Sequence, residues 1–369
     1  MLTRRAALLA SLTASAAVLG GGGSNAAERH GTKGRSGDKT ALASSAPAQT
    51  PVGALDTAAK YALVVDYTSG ATLLEKEADV PMPPSSMTKL MTAYVVYGAL
   101  KGGKLQLTDT LPVSERAWRM AGSKMFVQIG TSVPVEDLIR GMIVQSGNDA
   151  CIVLAEGIAG SEEQFVVLMN AKAKELGLTQ TNFRNATGWP DPEHRMSCRD
   201  IATLAARIIQ DFPEYYHYDN EKTFTYNGIQ QGNRNPLVQK GTADGLKTGH
   251  TDEGGFGLVA SSERSGRRVI EVLNGMTSMH QRAEEAERLM EWAFREFEDV
   301  TLFTAGDVVE HAPVWLGSAA SVPLVGGRNL VVTLPRGWRR NASIQVTYDG
   351  PIMAPVQRGS PLGKLTVSG

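Results

Sequence analysis

An excess of charge of either sign is missing from this chain: 37 lysines and arginines stand against 38 aspartates and glutamates, a formal net charge of −1. That balance removes any general electrostatic case for nucleic acid or for an acidic membrane surface. Cysteine is scarce too, with only Cys151 and Cys198, in separate expected helices. A chain of 369 residues buries enough core to need no staple, so two free, buried thiols are expected in preference to one bridge. His194 and Cys198 stand four apart with Asp191 near them, and two such ligands make no closed zinc shell. No metal and no cofactor are expected. Long apolar runs are absent from the N-terminus, where Ala6 to Leu19 falls short of the roughly 20 residues that cross a bilayer.

What is there begins with an export signal. Arg4 and Arg5, the apolar stretch and small residues ending at Ala27 read as a signal peptide over 1–27, and Thr3-Arg4-Arg5 faintly suggests the twin-arginine route. Residues 28–54 are Ala, Ser, Gly, Thr and Pro with scattered charge, a disordered linker. Alternation then gives a hairpin, Ala62 to Asp66 and Ala71 to Glu75. A helix is expected from about Ser86 to Leu100 with Ser85 as its cap, then a long folded connection over Leu105 to Gly130. Further helices are expected at Val135–Val144, Asp149–Ile158, Ser161–Leu176 and Ser197–Gln210. Strands follow at Thr223–Tyr226, Gly245–Thr248, Phe256–Ser261 and Arg268–Leu273, and a helix over His280–Glu298 closes the domain. The fold class is α+β: helices over one mainly antiparallel sheet in 55–299, then a small all-β domain in 300–369, with short alternating runs at Val314–Leu316, Leu330–Leu334 and Ile344–Tyr348.

Three short motifs carry the chemistry. Ser86 and Lys89 stand three apart at a helix start, so they share a face, and a desolvated lysine can lose its proton and activate a serine hydroxyl. Ser146-Gly147-Asn148 breaks two helices, a turn able to push a hydroxyl and a carboxamide into a cleft. Lys247-Thr248-Gly249 ends a strand beside His250, with Lys247 and Gly249 on one face and Thr248 on the other; the cation suits an anionic substrate end and the glycine a close backbone approach. Each triplet alone is commonplace. Ser-x-x-Lys, a Ser-x-Asn turn and Lys-Thr-Gly in this order form the signature of the serine penicillin-binding proteins and β-lactamases.

With those motifs, and with Leu138-Ile139-Arg140-Gly141, Gln145 to Ala150, Asn227-Gly228-Ile229 and Gly245 to Asp252, the sequence resembles the low-molecular-mass D-alanyl-D-alanine carboxypeptidases, the DacA-type penicillin-binding proteins. The resemblance runs from about Lys60 to the C-terminus and implies a β-lactamase/transpeptidase-like domain. It implies Ser86 as the acylated nucleophile, Lys89 as its base and Ser146 as a proton-transfer partner. Asn148, Lys247, Thr248, Gly249 and His250 would bind substrate, the backbone N–H groups of Ser86 and His250 forming an oxyanion hole. Arg282 matches the position expected to meet the terminal carboxylate, although Gly275 to Gln281 departs from the family's basic, Gly-containing run.

The implied activity is removal of the terminal D-alanine from peptidoglycan pentapeptide stems, with β-lactam antibiotics as acylating mimics. The partners are thus a stem ending in D-Ala-D-Ala and β-lactams, outside the cytoplasm in the periplasm. A β-lactamase is the rival enzyme, but the Glu-x-x-Leu-Asn loop of such enzymes is missing between Asn148 and Lys247. A catalytically inert wall-binding module is the rival of another class, and intact Ser86, Lys89, Asn148 and Lys247 argue against it. The family's usual C-terminal amphipathic helix has no counterpart in the run ending Leu365-Thr366-Val367-Ser368-Gly369, which does not support membrane contact.

Overall fold

The computed structural model describes residues 6–8, 46–338 and 343–368. The signal peptide expected over 1–27 lies outside these residues, apart from the backbone of a short strand, Ala6–Leu8 (β1). The chain divides into two units, Ala46–Glu298 and a second that comprises the chain from Asp299 together with the N-terminal segment. One boundary moves: Ala48 is fully buried and exchanges backbone hydrogen bonds of 2.8 and 2.9 Å with Leu55, so order begins within the linker expected over 28–54. Backbone pairing, including Gln49 with Glu75, makes this contact, and composition carries no trace of such pairing.

The first unit is built on a five-stranded antiparallel sheet. Tyr61–Asp66 (β2) and Thr72–Lys76 (β3) form the expected hairpin, its turn held by Asp66 Oδ1, which accepts from the N–H groups of Thr68 and Ser69. A 3₁₀ turn, Ser85–Thr88, leads into α1, Lys89–Lys101. The folded connection expected over Leu105 to Gly130 holds Thr110–Pro112 (β4), paired with Ser132–Pro134 (β5) just beyond it, and a short helix, Glu115–Arg119 (α2), capped by Ser114. Then come Val135–Val144 (α3), Asn148–Ala159 (α4), Glu162–Glu175 (α5) and Cys198–Asp211 (α6). Ser161 and Ser197 cap α5 and α6 through the N–H groups of Gln164 and Asp200.

Thr223–Tyr226 (β6) pairs with Ile229–Gly232 (β7) across Asn227-Gly228, both with positive φ, as a two-residue hairpin requires. A one-turn helix, Pro236–Lys240 (α7), precedes Gly245–Thr251 (β8), Gly255–Arg264 (β9) and Arg267–Met276 (β10), and Met279–Glu296 (α8) closes the unit. The sheet order is β3-β2-β10-β9-β8, which leaves β8 on an edge. Strand alternation sorts the core: Leu63, Val259 and Val272 face a cluster with α1, α3, α4, α5 and α6, while Val64, Leu258, Ala260 and Leu273 face Ala286, Leu289, Met290 and Ala293 of α8. Cys151 and Cys198 are free and buried in that helical block.

The second unit is all-β. Phe297–Phe303 (β11) pairs with Leu330–Pro335 (β14), Val308–Trp315 (β12) with Ser321–Gly326 (β13), and Ser343–Tyr348 (β15) with Gly363–Ser368 (β17), while Ile352–Met353 (β16) lies parallel to β12. Ala312, Val322, Leu324 and Ile352 are its core. The run expected to end at Leu316 stops one residue sooner, because Leu316 has φ 59° and is exposed.

Candidate active site

The nucleophile sits on a tighter turn than expected. Ser85–Thr88 is 3₁₀, with three residues per turn, so Ser86 and Lys89 eclipse one another instead of being offset as on an α-helix. The turn has no side-chain cap; the Ser85 hydroxyl, expected to cap, lies 2.9 Å from Thr251 Oγ1 on β8. Ser85 itself has φ 51°, a left-handed conformation that non-glycine residues rarely adopt. His194 braces the turn from beneath. Its Nδ1 accepts from the Arg184 N–H, which places the ring proton on Nε2, and that nitrogen donates to Thr88 Oγ1 at 2.8 Å. Burial pushes this imidazole down to about 4, so it stays neutral as a support.

Lys89 is 1% exposed, and its Nζ has three neighbours: Ser86 Oγ at 2.9 Å, Asn148 Oδ1 at 2.8 Å and the Thr187 carbonyl at 2.6 Å. Two of the three can only accept. A neutral amine carries two N–H groups and one lone pair, so the two acceptors take the hydrogens and the lone pair is left for the Ser86 hydroxyl. Burial is the largest force on Lys89 and lowers it to about 8, with the nearby charge of Arg234 acting the same way. Desolvation of this lysine, the condition set by the sequence for a base, is thus met, and the neighbouring cation that adds to it is Arg234.

Ser146-Gly147-Asn148 lies between α3 and α4. Ser146 has φ 60°, is 2% exposed, and its hydroxyl has no hydrogen-bond partner among the described residues. Asn148 is oriented from both ends of its amide, Oδ1 by Lys89 and Nδ2 by donation to the Ala121 carbonyl at 2.8 Å. The next residue, Asp149, was not singled out from sequence. Its carboxylate accepts from three consecutive N–H groups, Met125, Phe126 and Val127, at 2.8 to 3.1 Å, holding the connection over 125–127 against the turn.

Strand β8 forms the opposite wall. A Cβ on Gly249 would stand 2.9 Å from the Pro84 carbonyl oxygen and 3.2 Å from the Ser86 nitrogen, so the glycine admits the nucleophile's own turn, not only a substrate. Lys247, two residues back on the same face, is 3% exposed. Burial first, then Lys89 and Arg234, depress its ammonium well below the ordinary lysine value. Thr248 pairs with Leu258 and so faces α8, the helix that carries Arg282. His250, next along the strand from Gly249, is exposed, its ring stacked on Phe256 with centroids 3.9 Å apart.

Arg282 is not a solvated helix-face arginine. It is 7% exposed, lies over the Phe256 ring at 6.0 Å and donates to the Arg234 carbonyl at 3.4 Å, while its Nε has no hydrogen-bond partner among the described residues. Burial, then Arg234, lowers it to about 10. Arg234 was also missed from sequence: it donates to Ser123 Oγ at 2.5 Å, and its charge bears on Lys89, Lys247 and Arg282 alike. Its position in a loop 48 residues before Arg282 gives no periodic or motif signal. Two arginines and two lysines thus act on one another around one cleft, which disfavours the charged form of each lysine and favours a negatively charged ligand.

Residues 45–277 match the family model described as D-alanyl-D-alanine carboxypeptidase, and residues 297–369 match that of the penicillin-binding protein 5 C-terminal domain. Among curated proteins, the chain is 41% identical to the D-alanyl-D-alanine carboxypeptidase DacC of Escherichia coli over 82% of this chain and 78% of that one. It is 41% identical to DacA of Haemophilus influenzae over 84% and 80%. Among solved structures, penicillin-binding protein 5 of Haemophilus influenzae superposes with a TM-score of 0.80 at 39% identity, covering 85% of this chain and 93% of that one.

Proposed function

The chain belongs to the D-alanyl-D-alanine carboxypeptidase family, and on that premise we propose which part each residue of its cleft takes in the reaction. The protein is a serine-type carboxypeptidase that removes the terminal D-alanine of peptidoglycan stems and binds penicillins. Ser86 Oγ attacks the carbonyl between the two D-alanines while Lys89, as the neutral amine, takes its proton. The N–H groups of Ser86 and His250 receive the oxyanion, each such donor contributing about 3 kcal/mol of barrier reduction. The unpartnered hydroxyl of Ser146 carries a proton toward the departing D-alanine nitrogen, with Asn148 gripping the substrate amide. Lys247 and Thr248, with Arg282 and Arg234 behind them, hold the terminal carboxylate. Water then cleaves the Ser86 ester. The site works outside the cytoplasmic membrane, where its polymeric substrate lies.

One observation carries this assignment: the buried Lys89 Nζ lies 2.9 Å from Ser86 Oγ, with its two other contacts made to acceptors, Asn148 Oδ1 and the Thr187 carbonyl. The test is release of D-alanine from a synthetic acyl-D-Ala-D-Ala peptide, together with intact mass after benzylpenicillin. The native chain should release D-alanine and keep a long-lived adduct on Ser86, and Ser86→Ala should do neither. Release by Ser86→Ala at the native rate would refute the assignment.

A further inference from the structure

We propose that the oxyanion hole is held to its width by a side-chain bridge, the hydrogen bond between the hydroxyls of Ser85 and Thr251, and that these two are positioning residues of the reaction. This rests on the reading above that the N–H groups of Ser86 and His250 receive the oxyanion. One donor belongs to the nucleophile turn and the other to β8, whose ladder partner is β9. Among the described residues no backbone hydrogen bond joins that turn to β8. The bridge spans the gap one residue from each donor, because Ser85 precedes Ser86 and Thr251 follows His250. Its two oxygens lie 2.9 Å apart, between residues 166 positions apart in the chain. Thr251 Oγ1 also accepts from the Gly254 N–H at 3.0 Å, so the strand end of the bridge is itself fixed by the turn into β9.

Packing sets how closely turn and strand approach. A Cβ on Gly249 would stand 3.2 Å from the Ser86 nitrogen, and one on Gly254 would stand 3.0 Å from Ser85 Oγ. Contact of that kind resists compression, but it holds weakly against the two parting. Ser85 also needs holding, since its φ of 51° is a conformation that a non-glycine residue keeps only where its surroundings impose it. Ser85 is 3% exposed, and the bridge is the one side-chain hydrogen bond it makes among the described residues. Without it the residue can relax and swing the Ser86 N–H away from that of His250. Lys89 is anchored separately, by Asn148 and the Thr187 carbonyl, so loss of the bridge disturbs the oxyanion donors and spares the base.

The test uses the full chain. Ser85→Ala and Thr251→Val each remove the bridge with little change of volume, and Thr251→Ser keeps it. Each is measured for D-alanine release from an acyl-D-Ala-D-Ala peptide, for the pH profile of acylation, and for affinity toward phenylboronic acid, whose adduct on Ser86 is tetrahedral and anionic. In Ser85→Ala and in Thr251→Val, kcat should fall about tenfold with KM moved less than about twofold, and the boronate should bind about tenfold more weakly. The pH midpoint should match that of the native chain. The double variant should lose no more than either single one, because the same bond is removed, and Thr251→Ser should stay within about twofold of native. Should Ser85→Ala fail to fold, the comparison of Val with Ser at position 251 carries the same test.

Native kcat in the bridge-less variants, losses that multiply in the double variant, a fall in kcat with boronate affinity retained, or Thr251→Ser as impaired as Thr251→Val each overturn the bridge and leave the carboxypeptidase assignment standing. A native chain that neither releases D-alanine nor forms a penicillin adduct overturns the assignment and the bridge together.

Discussion

A lysine is a base only in the fraction that has lost its proton, and an ordinary lysine near 10.4 has lost almost none at neutral pH. Lys89, lowered to about 8 by burial, is neutral in roughly a tenth of molecules at pH 7. The rate of acylation by benzylpenicillin should therefore rise with pH along a limb whose midpoint is near 8, and level above it. A profile flat from pH 6 to 9, measured by stopped-flow acylation, would contradict this.

Glu271 poses the opposite case. It is fully buried in β10 with neither carboxylate oxygen partnered among the described residues, and burial, then Glu285, raises it well above the usual carboxylate range. A folded value above the unfolded one means that the protonated form's share of stability is complete below about pH 4 and is lost as pH rises toward the folded value. Glu271→Met should accordingly stabilise the chain by roughly 1 to 3 kcal/mol at pH 8 and by less at pH 4.5, read from denaturant unfolding at both. Ser86 with Lys89, and Ser146 with Asn148, were legible because each pair stands within one short motif, and the motifs come in a set order along the chain. Arg234, Asp149 and His194 were not, since each acts on a partner far along the chain through ordinary polar contacts that leave no pattern.

At the scale of elements, long periodic helices and alternating strands came through with ends shifted by a few residues. The one-turn helix α7, the strands β4, β5 and β7, and the 3₁₀ geometry of the nucleophile turn did not. Segments so short show no full period, and their conformation is imposed by what packs on them. The meeting of that turn with β8 is where tolerance is least. Gly249→Ala puts a methyl 2.9 Å from the Pro84 carbonyl and 3.0 Å from Ser85 Cβ, so the strand must retreat from the nucleophile. Because a displacement of about 1 Å can cost on the order of a hundredfold, kcat/KM for D-alanine release should fall by at least tenfold with the circular dichroism spectrum retained. Unchanged kinetics would show that the wall yields freely.

For the whole molecule, every residue given a part in the reaction falls within Ala46–Glu298, a unit with its own sheet and its own cores on both faces. Expressed alone, residues 46–298 should unfold in one cooperative transition and release D-alanine with kcat/KM within about threefold of the full chain. A loss beyond tenfold in a folded fragment would assign the β-rich unit a share in the chemistry. The β character of that unit could be read from its alternating runs, whereas its strand order, with β16 parallel to β12, is long-range pairing that no local pattern encodes.

The place of β8 at the margin of the sheet has one more consequence. An unpaired strand margin is a template on which another chain can add itself and start aggregation. Here the turn bearing Ser86 lies over the face of that strand at Gly249, so the margin is walled on one side. An extended peptide end that paired along the margin would run directly beside the nucleophile.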